Sequence, residues 1–199
     1  MEFSELVATR KMTREFSDVQ VEASLISELL EVVRYSPSAG FTQGFRFLVL
    51  TDSDVRKSFF KTTSDKNWLD NPDSSKITTA PVIVIPFSLP ETYIERYNQP
   101  DKLKAHRNAN FIEANETPFW LTDMAFATML LLLRAEDLGL GALFFAIHGG
   151  IDNLKESLNI PESASLIGAV AVGYKSETGQ RHLRKRLSAD QLVKYNSWH

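Results

Sequence analysis

Three groups of residues carry side chains that can do chemistry at close spacing. Arg10, Lys11 and Arg14 put three cations within five positions, and Arg184, Lys185 and Arg186 put three more in a row near the other end. Guanidinium groups hold phosphate oxygens in bidentate fashion, so if folding brings the two clusters together they make an anion site suited to a phosphate. Neither cluster contains the glycine-rich strand-to-helix fingerprint of a dinucleotide fold or the Lys-Ser/Thr pair of a P-loop. A phosphate held by side chains alone narrows the ligand to something like a mononucleotide cofactor. The third group is the stretch 36–47, Ser-Pro-Ser-Ala-Gly-Phe-Thr-Gln-Gly-Phe-Arg-Phe, at the junction of a helical pattern and an apolar strand pattern. Gly40 and Gly44 let the backbone come close to a flat ligand, while Ser38, Thr42 and Gln43 offer donors and acceptors. Taken singly, the clusters read better as solvated faces and the stretch as an ordinary surface turn.

Composition removes several other chemistries. The chain has 199 residues, 43% apolar and 24% charged, with net charge -3, which suits one domain with a sizeable core and argues against disorder or a nucleic-acid partner. Without cysteine it has neither a disulfide framework nor a thiolate site, and His106, His148, His182 and His199 show no metal-ligand spacing. The opening Met-Glu-Phe-Ser-Glu-Leu lacks the basic and apolar pattern of a signal peptide, so a cytoplasmic location is expected. The most apolar segment, 119–133, contains Asp123 and falls short of the roughly 20 residues a membrane span needs, so no membrane partner is expected.

The elements that must position these groups follow from periodicity. Helices are predicted over 2–10 and 22–35, a strand over 45–50, and a helix to about residue 62 capped by Thr51-Asp52-Ser53-Asp54. The segment 63–75 reads as loop or short helix, and 82–85 as a centrally buried strand. Residues 88–118, with Pro90, Pro100 and Pro118, read as short helices and a loop, either a lid or insertion or a family-specific decoration. Helix 119–138 is apolar nearly all round, which requires burial on all sides and favours an oligomer. It ends at Gly139 in C-cap fashion, before strand 142–147, the turn His148-Gly149-Gly150, helix 151–158, strand 167–172 and a tail 180–199 with a short helix from 188 to 193. This order points to a single domain, 1–199, built on an α/β or α+β sheet.

These residues carry a resemblance. The stretch 10–16, Arg-Lys-Met-Thr-Arg-Glu-Phe, resembles the Arg-Arg-Ser-x-Arg-x-Phe opening of the nitroreductase family of flavin enzymes. The stretch 36–47 is similar to that family's Ala-Pro-Ser-x-x-Asn-x-Gln-Pro-Trp-x-Phe. Ala80-Pro81-Val82, Asp123, the segment 135–141, Val172-Gly173-Tyr174 and Arg184-Lys185-Arg186-Leu187 follow in the family's order. The resemblance implies an α+β fold, a three-layer α/β/α sandwich with a mostly antiparallel central sheet, in an intertwined homodimer with two FMN molecules at the interface. It also implies roles. Arg10, Arg184 and Arg186 take the phosphate and Lys11 the ribityl or phosphate region; Arg14 and Lys76 lie by the pyrimidine edge, where a cation stabilises the anionic reduced flavin. Ser38 and Gln43 hydrogen-bond the ring, Gln43 on the flavin of its own or the neighbouring subunit. Met12, Gly40, Phe41 and, on strand 141–147, Ala146 complete the cofactor-binding set. The implied reaction passes hydride from NADH or NADPH to flavin N5 and on to a small electron-poor acceptor such as a nitroaromatic or quinone. No side chain need act as acid or base, although His148 can donate a proton or serve only as a turn residue.

Met12 stands where the family has Ser, Phe41 where it has Asn, and Gly44 where it has Pro. The Gly40-Phe41-Thr42-Gln43 form resembles the branch that breaks FMN down to make dimethylbenzimidazole, though that branch places an Asp where Met12 stands. Phe41, Phe144 and Phe145 read either as the walls of a narrow apolar site or as core. The alternatives are a deazaflavin-using or flavin-converting relative, and a protein that binds or stores flavin without turnover.

Overall fold

The computed structural model describes residues 2–106, 117–176 and 185–198. At its centre is a mixed-order antiparallel sheet of β1 (Phe45–Leu50), β2 (Val82–Ser88), β3 (Gly141–Phe145), β4 (Ser165–Leu166) and β5 (Ala169–Gly173). The path runs β1-β2-β5-β3, with β4 added to the end of β2. Register is set by pairs such as Phe45 with Ser88, Val82 with Val172 and Ala142 with Val172.

Strand β2 explains the layering. Its unbroken apolar run points alternate residues to opposite faces. Ile83 and Ile85 pack with Phe59, Phe60, Leu154 and Ile160, under α3 (Ser53–Thr63) and α9 (Ile151–Ser157). Val82 and Val84 pack with Leu29, Leu131, Leu132 and Ala135, under α2 (Ala23–Glu31) and α8 (Phe119–Asp137). The result is the expected three-layer α/β/α sandwich. Asp52 caps α3 by accepting from the N–H groups of Asp54 and Val55 at 2.8 and 3.0 Å, as its position before the apolar periodicity predicts.

Helix α8 stops where Gly139 takes a left-handed φ of 75°. The Leu140 N–H donates to the Ala135 carbonyl at 2.8 Å and the Gly139 N–H to that of Glu136 at 3.0 Å, which together form a Schellman cap. Its burial differs from expectation. Asp123, Met124, Ala127, Thr128, Leu131, Leu132 and Ala135 are buried, but Phe126 stays 54% exposed and Met129 40%, so one side of the helix is uncovered in a single chain.

Other boundaries also move. The last turn of predicted helix 22–35 is a 3₁₀ turn, Val32–Tyr35. The segment 63–79 forms α4 (Lys66–Asp70), α5 (Pro72–Ser75) and a 3₁₀ turn, Lys76–Thr79. Strand 142–147 begins at Gly141 and ends at Phe145, and strand 167–172 becomes 169–173 because Gly168, at φ 144°, breaks it from β4. Within 88–118 lie α6 (Pro90–Tyr97) and α7 (Pro100–His106); residues 107–116 of that range, and 177–184 of the tail, are outside the described residues. The first helix, α1, spans Phe3–Thr9 and buries none of its residues, and the tail carries the short helix α10 (Ala189–Leu192).

Candidate functional site

The N-terminal cations sit on a segment that crosses the end of the sheet where β2 and β3 begin and β5 finishes. Met12 bridges Ala142, and the Thr13 N–H donates to the Ala142 carbonyl at 2.9 Å. Phe16 bridges Lys175, and the Thr79 hydroxyl donates to the Phe16 carbonyl at 3.3 Å. A side chain at position 141 would meet Thr13 at 2.7 Å, so Gly141 is what lets the segment lie this close. Held this way, Lys11 and Arg14 are exposed, while Arg10 is half-buried with its Nη1 shielded from water and without a hydrogen-bond partner among the described residues. A buried guanidinium nitrogen with no acceptor costs free energy unless a ligand supplies one. Lys76 stands at the same end, paired with Glu15 at 3.3 Å. Ala146 is exposed just beyond β3, beside His148 across a cavity of about 90 Å³ that Trp68, Ile77 and Phe145 also line. Lys185 and Arg186 are exposed, and Arg184 lies outside the described residues.

The second group is the loop before β1. Gly40, Phe41 and Gln43 all have left-handed backbones, at φ 62°, 56° and 51°. Phe and Gln in that region are strained, and such strain persists only where the surroundings impose it. Those surroundings are visible. The Gln43 N–H donates to Ser38 Oγ at 3.0 Å, and the Thr42 hydroxyl to the Ala39 carbonyl at 2.6 Å. The Ala39 N–H donates to Asp123 Oδ2 at 2.9 Å, and the Tyr93 hydroxyl donates to the same oxygen at 2.8 Å. From α6, Arg96 Nε donates to the Gly40 carbonyl at 2.9 Å while its two terminal nitrogens hold both oxygens of Asp101. That guanidinium pulls the Asp101 carboxyl down to about 2. Burial, then the Asp123 carboxylate, raise the Tyr93 hydroxyl well above the usual tyrosine range. Phe41 is left 78% exposed, so it is not core.

Among the described residues, the two groups lie apart within one chain. Ala142 is level with Val82 through Val172, whereas the loop enters the sheet at Phe45, opposite Ser88, six residues further along β2. At about 3.3 Å per residue and 4.8 Å per strand spacing, they are separated by roughly 20 Å along the strands and roughly 14 Å across them. Arg10, Lys11, Met12, Arg14 and Lys76 are thus gathered at one end of the sheet. Ser38, Gly40, Phe41 and Gln43 are gathered at the other, on the far edge.

The profile of the nitroreductase family matches residues 7–174. The chain belongs to the nitroreductase family. An Archaeoglobus fulgidus protein provisionally named NADH dehydrogenase/NAD(P)H nitroreductase is 23% identical over 191 residues, 94% of each chain. A nitroreductase family protein of Streptococcus pneumoniae superposes with a TM-score of 0.76 at 20% identity, over 97% of this chain and 99% of that one. The NADPH:FMN oxidoreductase of Vibrio harveyi, solved with NAD+, superposes with a TM-score of 0.71 at 16% identity, over 98% of this chain and 77% of that one.

Against the nitroreductase pattern, each departure now has surroundings. Gly44 replaces Pro where a Cβ would lie 2.3 Å from the Tyr93 ring and 2.4 Å from Thr92 Oγ1, so α6 packs straight onto the backbone there. Met12 replaces Ser and turns its side chain into the apolar clusters on both faces of the sheet. Tyr93 and Arg96 went unsuspected because the contacts that give them a role span 30 and 56 residues of sequence. Asp123 had a signal: a carboxylate inside an apolar helix must find partners when buried.

Proposed function

We propose that this nitroreductase-family protein is an FMN-dependent oxidoreductase that takes hydride from NADH or NADPH and passes it to a small electron-poor acceptor. The observation that carries the reading is Arg10, whose buried Nη1, unpartnered among the described residues, sits in a cationic segment stitched to β3. That is an anion seat built before its ligand arrives. The flavin, when bound, would supply the hydride chemistry itself. Arg10 and Arg186 would hold its phosphate, Lys11 its ribityl chain, and Lys76 and Arg14 its pyrimidine edge, with Ser38 and Gln43 meeting its ring. The Archaeoglobus fulgidus relative named for NAD(P)H and the Vibrio harveyi NADPH:FMN oxidoreductase support the same reading.

Because one chain keeps the two halves at opposite ends of its sheet, a second copy would complete each site, and the working unit would be a homodimer. The uncovered side of α8 at Phe126 and Met129, with Tyr195 and Trp198 on the tail, offers apolar surface for that contact. The Met12 position argues for reduction over flavin breakdown, since an apolar thioether stands where the flavin-destroying branch has a carboxylate.

The test is a titration of flavin-depleted protein with FMN and, separately, riboflavin. Arg10→Ala is expected to weaken FMN by about tenfold to a hundredfold, the worth of a charge-assisted hydrogen bond or two, and to leave riboflavin within about twofold. Equal weakening of both would remove the phosphate from this seat.

A further inference from the structure

Asp123 on α8 is 4% exposed and Tyr93 on α6 0%, and the two stand 30 residues apart in sequence. A buried carboxylate is costly unless hydrogen-bonded, and here one oxygen, Oδ2, takes both the Ala39 N–H and the Tyr93 hydroxyl. The arrangement therefore couples three elements at one atom: α8, α6 and the loop before β1. The Ala39 amide is the first link of the strained stretch, for Ala39 is followed at once by the left-handed Gly40 and Phe41, then by Gln43. Three more bonds continue the chain: Arg96 to the Gly40 carbonyl, Thr42 to the Ala39 carbonyl, and Gln43 N–H to Ser38. Phe41 and Gln43 hold left-handed backbones that non-glycine residues keep only where their surroundings impose it, and the Ala39 anchor is part of those surroundings.

We infer that Asp123 and Tyr93 are positioning residues that hold the 38–43 loop in the strained conformation with which it receives the flavin ring. This rests on the proposed flavin site but assigns it two buried residues that act through the loop. The consequence differs from that of the phosphate seat: loss of the anchor disturbs the ring end, which FMN and riboflavin share, so both ligands weaken together.

Two measurements test it. In flavin-free protein, hydrogen exchange of the amides from Ala39 to Gln43 is compared for wild type, Asp123→Ala, Asp123→Asn and Tyr93→Phe. Exchange is expected to accelerate by at least about tenfold in Asp123→Ala, less in Tyr93→Phe, and to return towards wild type in Asp123→Asn, whose amide oxygen still accepts. In flavin titrations Asp123→Ala is expected to weaken FMN and riboflavin alike, by about tenfold, and to shift the visible flavin spectrum. Should Asp123→Ala not fold, Tyr93→Phe, which removes one hydroxyl, carries both measurements at smaller amplitude. Variants that lose thermal stability yet bind both flavins with wild-type affinity and spectrum would overturn the positioning role and leave the function standing. A wild-type protein that takes up neither flavin would overturn the function and the role together.

Discussion

At Gly44 the fit between the loop and α6 comes down to a single missing methyl group. Because a Cβ there would overlap the Tyr93 ring, Gly44→Ala is expected to cost about 1–3 kcal/mol in denaturant unfolding. Gly149→Ala, where nothing lies within 4 Å, is the control and should cost far less. Tyr93 gives a pH signature. Its hydroxyl ionises higher in the folded protein than in the unfolded chain, chiefly through burial and then through Asp123, with Arg46 opposing. A raised value means that the contribution is whole below the unfolded tyrosine value near 10 and is lost as pH rises beyond it. Stability should therefore fall on alkaline titration above about pH 10, and Tyr93→Phe should flatten that limb. At this scale the cations, Ser38 and Gln43 stand out as candidates by residue type and spacing. Tyr93 and Arg96 do not, because their chemistry depends on which oxygen lies opposite, and sequence spacing carries no such information.

Elements were the most legible level. The run Val82-Ile83-Val84-Ile85 is of the kind expected for a strand covered on both faces, and the structure buries all four. Asp52 likewise announces α3. Asp52→Ala should cost about 1 kcal/mol in denaturant unfolding and leave flavin affinity unchanged, since the cap is distant in role from either half of the site. Edges were less legible, because a strand stops where its partner stops: β3 ends at Phe145, opposite Ala169, and Gly168 prevents continuation. Segment 88–118 resisted reading for another reason. Its α6 is only eight residues, and its place is fixed by Tyr93 and Arg96 reaching into other elements rather than by its own periodicity.

For the whole molecule, the separation of the cationic segment from the 38–43 loop is the property no local pattern contains; it follows from strand order and register alone. It makes a specific expectation for mixed subunits. If each flavin site takes its seat from one copy and its loop from the other, a heterodimer of Arg10→Ala and Gln43→Ala chains has one site with both defects and one with neither. Mixing the two variants should therefore regenerate wild-type FMN affinity in a fraction of sites, whereas sites confined to one chain would regenerate none. Anaerobic addition of NADH or NADPH to the FMN-loaded protein, with the visible flavin band followed, tests the proposed reaction itself. One of the two nucleotides is expected to bleach the band rapidly, and an electron-poor acceptor such as a quinone to restore it. A band that neither nucleotide bleaches would contradict the assignment of this protein as a flavin-dependent oxidoreductase.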